Sequence, residues 1–270
     1  MKEIINSNGT LRKIVLEVAE VARFLWQRGW AERNAGNISV NLNDILTDDI
    51  PRFADYPYFK LQTGYPELSR TCLFVTGTGK RMRNLADKPV KNALMIRIDD
   101  EGVGYYIISG KKNSAINLMP TSELPTHLSI HQMIRQRGTD EKVVIHTHAS
   151  ELIALTQVRE FCDEKRLNNL FWGMHPETKV FVPKGVGYVP YITPGSIKIA
   201  AKTLRALENH DVALWEKHGV FSIGADVIET FDVIDILVKS AKIFFMCRNA
   251  GLEPEGLTAE QLDELGKIVF

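Results

Sequence analysis

Val143-Val144-Ile145-His146-Thr147-His148 is a short β-branched apolar run ending in two histidines one residue apart. Such residues fit the pleated surface of a sheet, and the run has the length of one buried strand. Side chains at i and i+2 of a strand share a face, so His146 and His148 aim both imidazoles at one point. That geometry suits a first-row metal ion. Two hydrogen-bonded histidines at a strand end give the same pattern, so the pair alone does not decide between these readings.

Working outward, Leu11, Ile14, Val15, Val18, Val21, Ala22, Leu25 and Trp26 recur at helical spacing, and Gly29 is placed to end that helix. Residues 1–30 thus form an N-terminal helical region. A polar turn, Glu32-Arg33-Asn34-Ala35-Gly36-Asn37, leads into alternating Ile38, Val40 and Leu42, a strand signal. Residues 43–70 show no clean period and contain Pro51, Pro57, Gly64 and Pro66. They read as a long excursion with aromatic anchors, of a length that suggests function or interface. Cys72-Leu73-Phe74-Val75 is a buried strand running into Thr76-Gly77-Thr78-Gly79-Lys80. Ala93 to Ile98 and Val103 to Ile108 flank Asp99-Asp100-Glu101-Gly102 as a hairpin. Thr121 or Ser122 is expected to cap a helix that has Pro125 in its first turn and ends near Gly138.

Beyond the opening strand, Ala149 to Val158 reads as a short helix. Lys179 to Val182 and Tyr188 to Tyr191, on either side of Gly185-Val186-Gly187, read as a hairpin. Pro194-Gly195-Ser196 starts a helix to about Leu207, and Val212 to Trp215 is a strand running into His218-Gly219. Ala225 to Cys247 is helical, and Thr258 to Gln261 forms a capping box. Hairpin-joined strands with helices between them predict an α/β fold, a mostly antiparallel sheet covered by helices on both faces. No repeat or Ser/Gly linker interrupts residues 1–270, which predicts a single domain.

The 270 residues are 44% hydrophobic and 24% charged with zero formal net charge, ordinary for a soluble globular chain. No basic block points to nucleic acid or an anionic membrane. Cys72, Cys162 and Cys247 are odd in number and far apart, and no signal peptide or apolar run of about 18 residues is present. The expectation is a cytoplasmic protein with reduced thiols.

His218 is the third ligand candidate, since a catalytic zinc site takes three protein ligands and keeps one position open. His127 and His131 are an i, i+4 pair on the predicted helix, without an evident third partner, and read as packing or supporting residues. His175 and His210 fall in polar connections and are expected at the surface. Glu123 stands in the first turn of its helix, where the dipole favours an anion. Its functional reading is a base beside a metal-bound carbonyl, and spacing alone does not decide between that and ordinary helix-end electrostatics. Thr76-Gly77-Thr78-Gly79-Lys80 offers backbone N–H groups, hydroxyls and a cation for a phosphate, but lacks the P-loop spacing. Asn34-Ala35-Gly36-Asn37 is a second such segment, and a small phosphorylated ligand makes sense if both meet Ser122 at the metal.

Glu32-Arg33-Asn34-Ala35-Gly36-Asn37, Thr76-Gly77-Thr78-Gly79-Lys80, Pro120-Thr121-Ser122-Glu123, His146-Thr147-His148-Ala149 and His218-Gly219-Val220 stand in a fixed order. In that order they resemble the zinc-dependent class II sugar-phosphate aldolases over nearly the whole chain. The Thr-Ser-Glu-Leu-Pro-Thr-His run, the excursion and Gly185-Val186-Gly187 look most like the L-rhamnulose-1-phosphate aldolase branch. The shorter L-fuculose-phosphate aldolases and L-ribulose-phosphate 4-epimerases match less well.

The resemblance implies a three-layer α/β/α domain and a C4 homotetramer with sites near subunit interfaces. It makes His146, His148 and His218 the zinc ligands and Glu123 the catalytic carboxylate. Asn34, Gly36, Asn37, Thr78, Gly79 and Ser122 fall in its phosphate pocket, and Glu177 aligns with an acid serving the neighbouring subunit's aldehyde. A 4-epimerase uses the same zinc site and differs only at the aldehyde pocket. A cupin-type oxygenase would want an acidic ligand four or five positions after the second histidine, whereas Glu151 follows His148 by three. A binding domain without catalysis should have lost ligands.

Overall fold

The computed structural model describes residues 2–46, 55–109 and 118–267. The strands are β1 (Asn37–Asn41), β2 (Tyr58–Lys60), β3 (Cys72–Thr76), β4 (Ala93–Ile98), β5 (Gly104–Ile107), β6 (Val143–Thr147), β7 (Gly187–Val189), β8 (Val212–Trp215) and β9 (Gly219–Gly224). They form one sheet in the order β2-β5-β4-β3-β1-β6-β9-β8-β7, with every neighbouring pair antiparallel except β7 and β8. The expected mostly antiparallel sheet is therefore present, with β6 near its middle.

The helices are α1 (Lys2–Ser7), α2 (Gly9–Gln27), α3 (Met82–Asp87), α4 (Pro89–Asn92), α5 (Leu124–Arg137), α6 (Ser150–Leu155), α7 (Glu164–Met174), α8 (Pro176–Phe181), α9 (Ile197–Leu207), α10 (Val227–Asn249) and α11 (Ala259–Leu265). Strand alternation divides their work. Ile38, Val40, Val143, Ile145, Val212, Leu214 and Val220 face one core, shared with the apolar stripes of α2 and α10. Val144, Ala213, Trp215, Phe221 and Ile223 face the other side, against Ile130 and Ile134 of α5 and Ile199 and Leu207 of α9. Val143, Val144 and Ile145 are fully buried, each contributing about 1.5–3 kcal/mol of transfer free energy. A run buried on both faces is the reason the opening stretch reads as continuously apolar.

Asn8 caps α2 by accepting from the Leu11 amide at 2.9 Å; at the other end Gly29 leaves it at φ +74°, as the sequence predicts. The β4–β5 hairpin and the Thr258–Gln261 capping box also form as expected. Within the long excursion, residues 47–54 lie outside the described residues. The remainder adds β2 to the sheet edge and packs Phe59 on Tyr105, ring centroids 5.5 Å apart.

Two local expectations are corrected. Residues 179–182 do not enter a hairpin: Lys179 to Phe181 end α8, and Gly187–Val189 is an edge strand parallel to β8. Pro176 pre-sets the first turn of α8, and packing on α7 and α10 outweighs the β propensity of Val180-Phe181-Val182. Thr178 Oγ1 meets Ser240 Oγ of α10 at 2.7 Å. Secondly, neither Thr121 nor Ser122 caps α5. Glu123 occupies the cap position with Pro125 just inside, and its side chain makes no capping bond. That side chain is free to point elsewhere.

Candidate metal centre

His146 faces α5 from the last turn-ward end of β6, and its neighbours there are aromatic. Its ring stacks on Phe221 at 4.3 Å with 17° between planes, and Trp215 lies 5.4 Å away. His148 follows just past the strand end. His218 is delivered by the short connection between β8 and β9, where Lys217 adopts the left-handed φ of +59° and donates its amide to Thr156 Oγ1 at 2.8 Å. The three ring centroids stand 4.8 to 5.2 Å apart. One nitrogen from each histidine lies within 4.8 Å of the others. The spacing argument from the sequence is thus realised, and His218 joins the pair.

The nitrogens are prepared for a cation. His146 Nδ1 donates to the Val220 carbonyl at 3.1 Å, which leaves Nε2 with a lone pair, and that buried Nε2 has no hydrogen-bond partner. His148 Nδ1 is tied to Glu32 Oε1 at 3.0 Å, freeing its other nitrogen. His218 Nδ1 is buried without a partner. Burial, reinforced by His148 and His218, holds His146 well below the ordinary histidine range; burial and then His148 lower His218. Neutral imidazoles with unmatched lone pairs are what a divalent metal requires. Three histidine ligands leave room for a further oxygen ligand.

Glu123 Oε2 lies 3.6 Å from His146 Nε2 and accepts from Asn37 Nδ2 at 2.7 Å. Because the carboxylate sits at the α5 cap without capping, it leans across to β1, where Asn37 is in register with His146. Asn37 was expected beside phosphate, yet both ends of its amide are used: Oδ1 is bonded to His127 Nε2. His127 and His131 in turn converge on Ser39 Oγ at 2.7 and 2.8 Å. His127 and His131 thus take the supporting place the sequence suggests, and Ser39, which joins them, is missed by reading for ligands. A signal does exist, because Asn37 and Ser39 are polar at i and i+2 on a strand whose other face is apolar, opposite an i, i+4 histidine pair.

The remaining candidates sit nearby in part. The 76–80 loop is stitched to the segment before Glu123: Thr78 donates to the Met119 carbonyl at 2.8 Å and Thr121 to that of Thr76 at 2.9 Å. Thr78, Gly79, Ser122 and Asn34 are exposed, with Gly79 at φ +67°. Gly36, at φ +79°, packs on the His146 carbonyl, where an added Cβ would come within 3.1 Å. Glu177 is not joined to this cluster within the chain; it pairs with His175 at 3.0 Å on α8. His175 and His210, expected at the surface, are half-buried, and His210 pairs with Glu164 at 3.3 Å. Glu151, the acid a cupin-type site would need, is held by Trp30 Nε1 at 3.0 Å and by Lys242 at 3.3 Å.

Residues 16–245 match the model of the class II aldolase and adducin N-terminal domain. The chain belongs to the class II aldolase family. A rhamnulose-1-phosphate aldolase of Bacteroides thetaiotaomicron is 43% identical over 266 residues, covering 98% of this chain and 97% of that protein. One of Escherichia coli O139:H28 is 36% identical, covering 90% and 88%. Among solved structures, a sugar-phosphate aldolase from Thermotoga maritima aligns with TM-score 0.77 and 33% identity over 92% of this chain and all of that one. An L-fuculose 1-phosphate aldolase at 18% identity, TM-score 0.58, shares the fold. This class II aldolase is a lyase of a metal-dependent family, and its three clustered histidines could hold a metal ion.

Proposed function

We propose that this aldolase reversibly cleaves L-rhamnulose 1-phosphate to dihydroxyacetone phosphate and L-lactaldehyde in rhamnose degradation, using one zinc ion per subunit. The near-full-length relatives named rhamnulose-1-phosphate aldolase support the substrate. The observation that carries the chemistry is Glu123 Oε2 at 3.6 Å from the partnerless His146 Nε2.

Bound zinc would supply a Lewis acid for the charge that develops on the C2 oxygen as the C3–C4 bond breaks, worth several kcal/mol. His146, His148 and His218 would hold it, the first two oriented by Val220 and Glu32 at their Nδ1 atoms. As the C3–C4 bond breaks the C4 hydroxyl becomes the aldehyde carbonyl and its proton leaves to solvent, while Glu123 delivers a proton to C3; both transfers run backwards in the reverse direction. Asn34, Gly36, Thr78, Gly79 and Ser122 bind the phosphate with hydroxyls, an amide and backbone N–H groups. Asn37, committed to Glu123 and His127, serves the carboxylate in preference to the phosphate. Glu177 acts at the aldehyde end of a neighbouring site in a C4 homotetramer, consistent with its position on α8 outside the cluster. Three free cysteines fit a reducing cytoplasm, and no described helix is long and apolar enough to cross a membrane.

The test is a coupled assay for dihydroxyacetone phosphate released from L-rhamnulose 1-phosphate, with L-fuculose 1-phosphate as competitor and with and without chelator. Release abolished by chelator and restored by zinc is expected. Release that ignores chelator, or epimerised ketose phosphate without triose, would overturn the reading.

A further inference from the structure

Ser39, His127 and His131 are not among the three clustered histidine ligands, yet all three are fully buried polar residues, 0 to 1% exposed. Groups so placed cost free energy unless their hydrogen bonds are complete. They occupy a continuous line from α5 through β1 to the carboxylate: His131 Nε2, Ser39 Oγ, His127 Nδ1, His127 Nε2, Asn37 Oδ1, Asn37 Nδ2, Glu123 Oε2.

We propose that Ser39, His127 and His131 form a one-way chain of hydrogen bonds that locks the Asn37 amide with its N–H on Glu123, making them positioning residues for the base. This rests on Glu123 being that base. The direction follows from donor and acceptor inventories. A carboxylate only accepts, so Asn37 turns Nδ2 toward Glu123 and Oδ1 toward His127. His127 Nε2 must then donate. In a neutral imidazole the other nitrogen accepts, so the Ser39 hydroxyl donates to His127 Nδ1. With its one hydrogen so used, Ser39 Oγ can only accept from the N–H of His131 Nε2. What is left over is His131 Nδ1, a lone pair, and that atom has no partner.

The opposite direction fails at both ends. It would turn Asn37 Oδ1 against a carboxylate oxygen, and it would bury a His131 Nδ1–H donor with nothing to receive it. An orphaned N–H is a rarer and costlier defect than an under-used acceptor. Burial also keeps both rings neutral, pushing His127 and His131 down to about 3. The chain therefore carries no charge of its own and presents Glu123 with one fixed donor. Ser39 is its pivot, because it alone joins the two rings.

Neutron diffraction from deuterium-exchanged crystals of the zinc-loaded enzyme at pH 7 reads the direction. Deuterium is expected on Nε2 of His127 and His131 and on neither Nδ1; deuterium on His127 Nδ1 overturns the proposal. In solution, Ser39→Ala with zinc content matched to wild type should lower kcat about 10–100-fold, a part of what a base contributes. KM should change by less than about threefold, since ground-state binding is untouched. Ser39→Thr, which keeps the hydroxyl, should recover most of the loss. Wild-type kcat in Ser39→Ala, or no recovery in Ser39→Thr, refutes the positioning role. Should Ser39→Ala fail to fold, the wild-type deuterium map still decides. Full turnover by Glu123→Gln would instead remove the base assignment, an outcome separate from the proton positions.

Discussion

Removing the His146 imidazole takes away one of three nitrogens that face a common point, and with it the ring stacked on Phe221. His146→Ala should lower bound zinc at least about tenfold, the scale set by disturbing even the shell around a metal ligand. It should also abolish cleavage. Metal analysis of the purified variant checks this, and full occupancy would remove His146 from the ligand set. Glu123→Gln separates binding from chemistry. Glutamine preserves the shape and can still bond Asn37, so zinc content should be unchanged, while kcat falls by about 10²–10⁴ as a general base is lost. Zinc analysis alongside steady-state kinetics reads both quantities.

At the scale of elements, the site depends on how closely β6 and β9 approach at their ligand-bearing ends. Gly219 opens β9 directly after His218, and a Cβ there would collide with the Thr147 carbonyl and stand 3.1 Å from both the His146 and His148 rings. Gly219→Ala should cost about 1–3 kcal/mol of stability through overpacking. Zinc titration should show weakened binding, because His218 shifts relative to the pair on β6. Unchanged affinity would mean that the connection relaxes without moving the ligand. Much of this region was legible in the sequence. The i, i+2 pair on β6 and the polar Gly-containing turns mark local geometry, and local geometry is what short-range patterns encode. Glu123 reads as a helix-start acid, but local sequence points to its neighbours as the cap, since Thr and Ser are the usual caps and nothing local reveals a carboxylate drawn away by Asn37. Ser39 stayed hidden because its partners lie 88 and 92 positions along the chain. Lys179 to Phe181 misled for the converse reason: their β-branched and aromatic character suggested a strand, while tertiary packing made a helix.

For the molecule as a whole, acid sensitivity follows from the buried histidines. His127 and His131 are pushed from 6.5 to about 3 by burial. Between those values the unfolded chain binds protons that the folded chain refuses. Stability is therefore complete above about pH 6.5 and is lost as pH falls toward 3, by up to about 1.4 kcal/mol per group per pH unit. Urea midpoints of the metal-free protein at pH 7, 6 and 5 should decline progressively, and replacing His131 by Gln should flatten that decline. A midpoint independent of pH over this range would show that the rings take up protons equally in the folded and unfolded states. The two ends of the sheet bear on a different property. β2 and β7 are each three residues long, Lys60 ends the first, and Pro190, which has no N–H to offer, follows the second. Edges this brief give an incoming strand almost no ladder to extend. Copies of this chain are thereby discouraged from joining edge to edge into fibrils through either of these two strands.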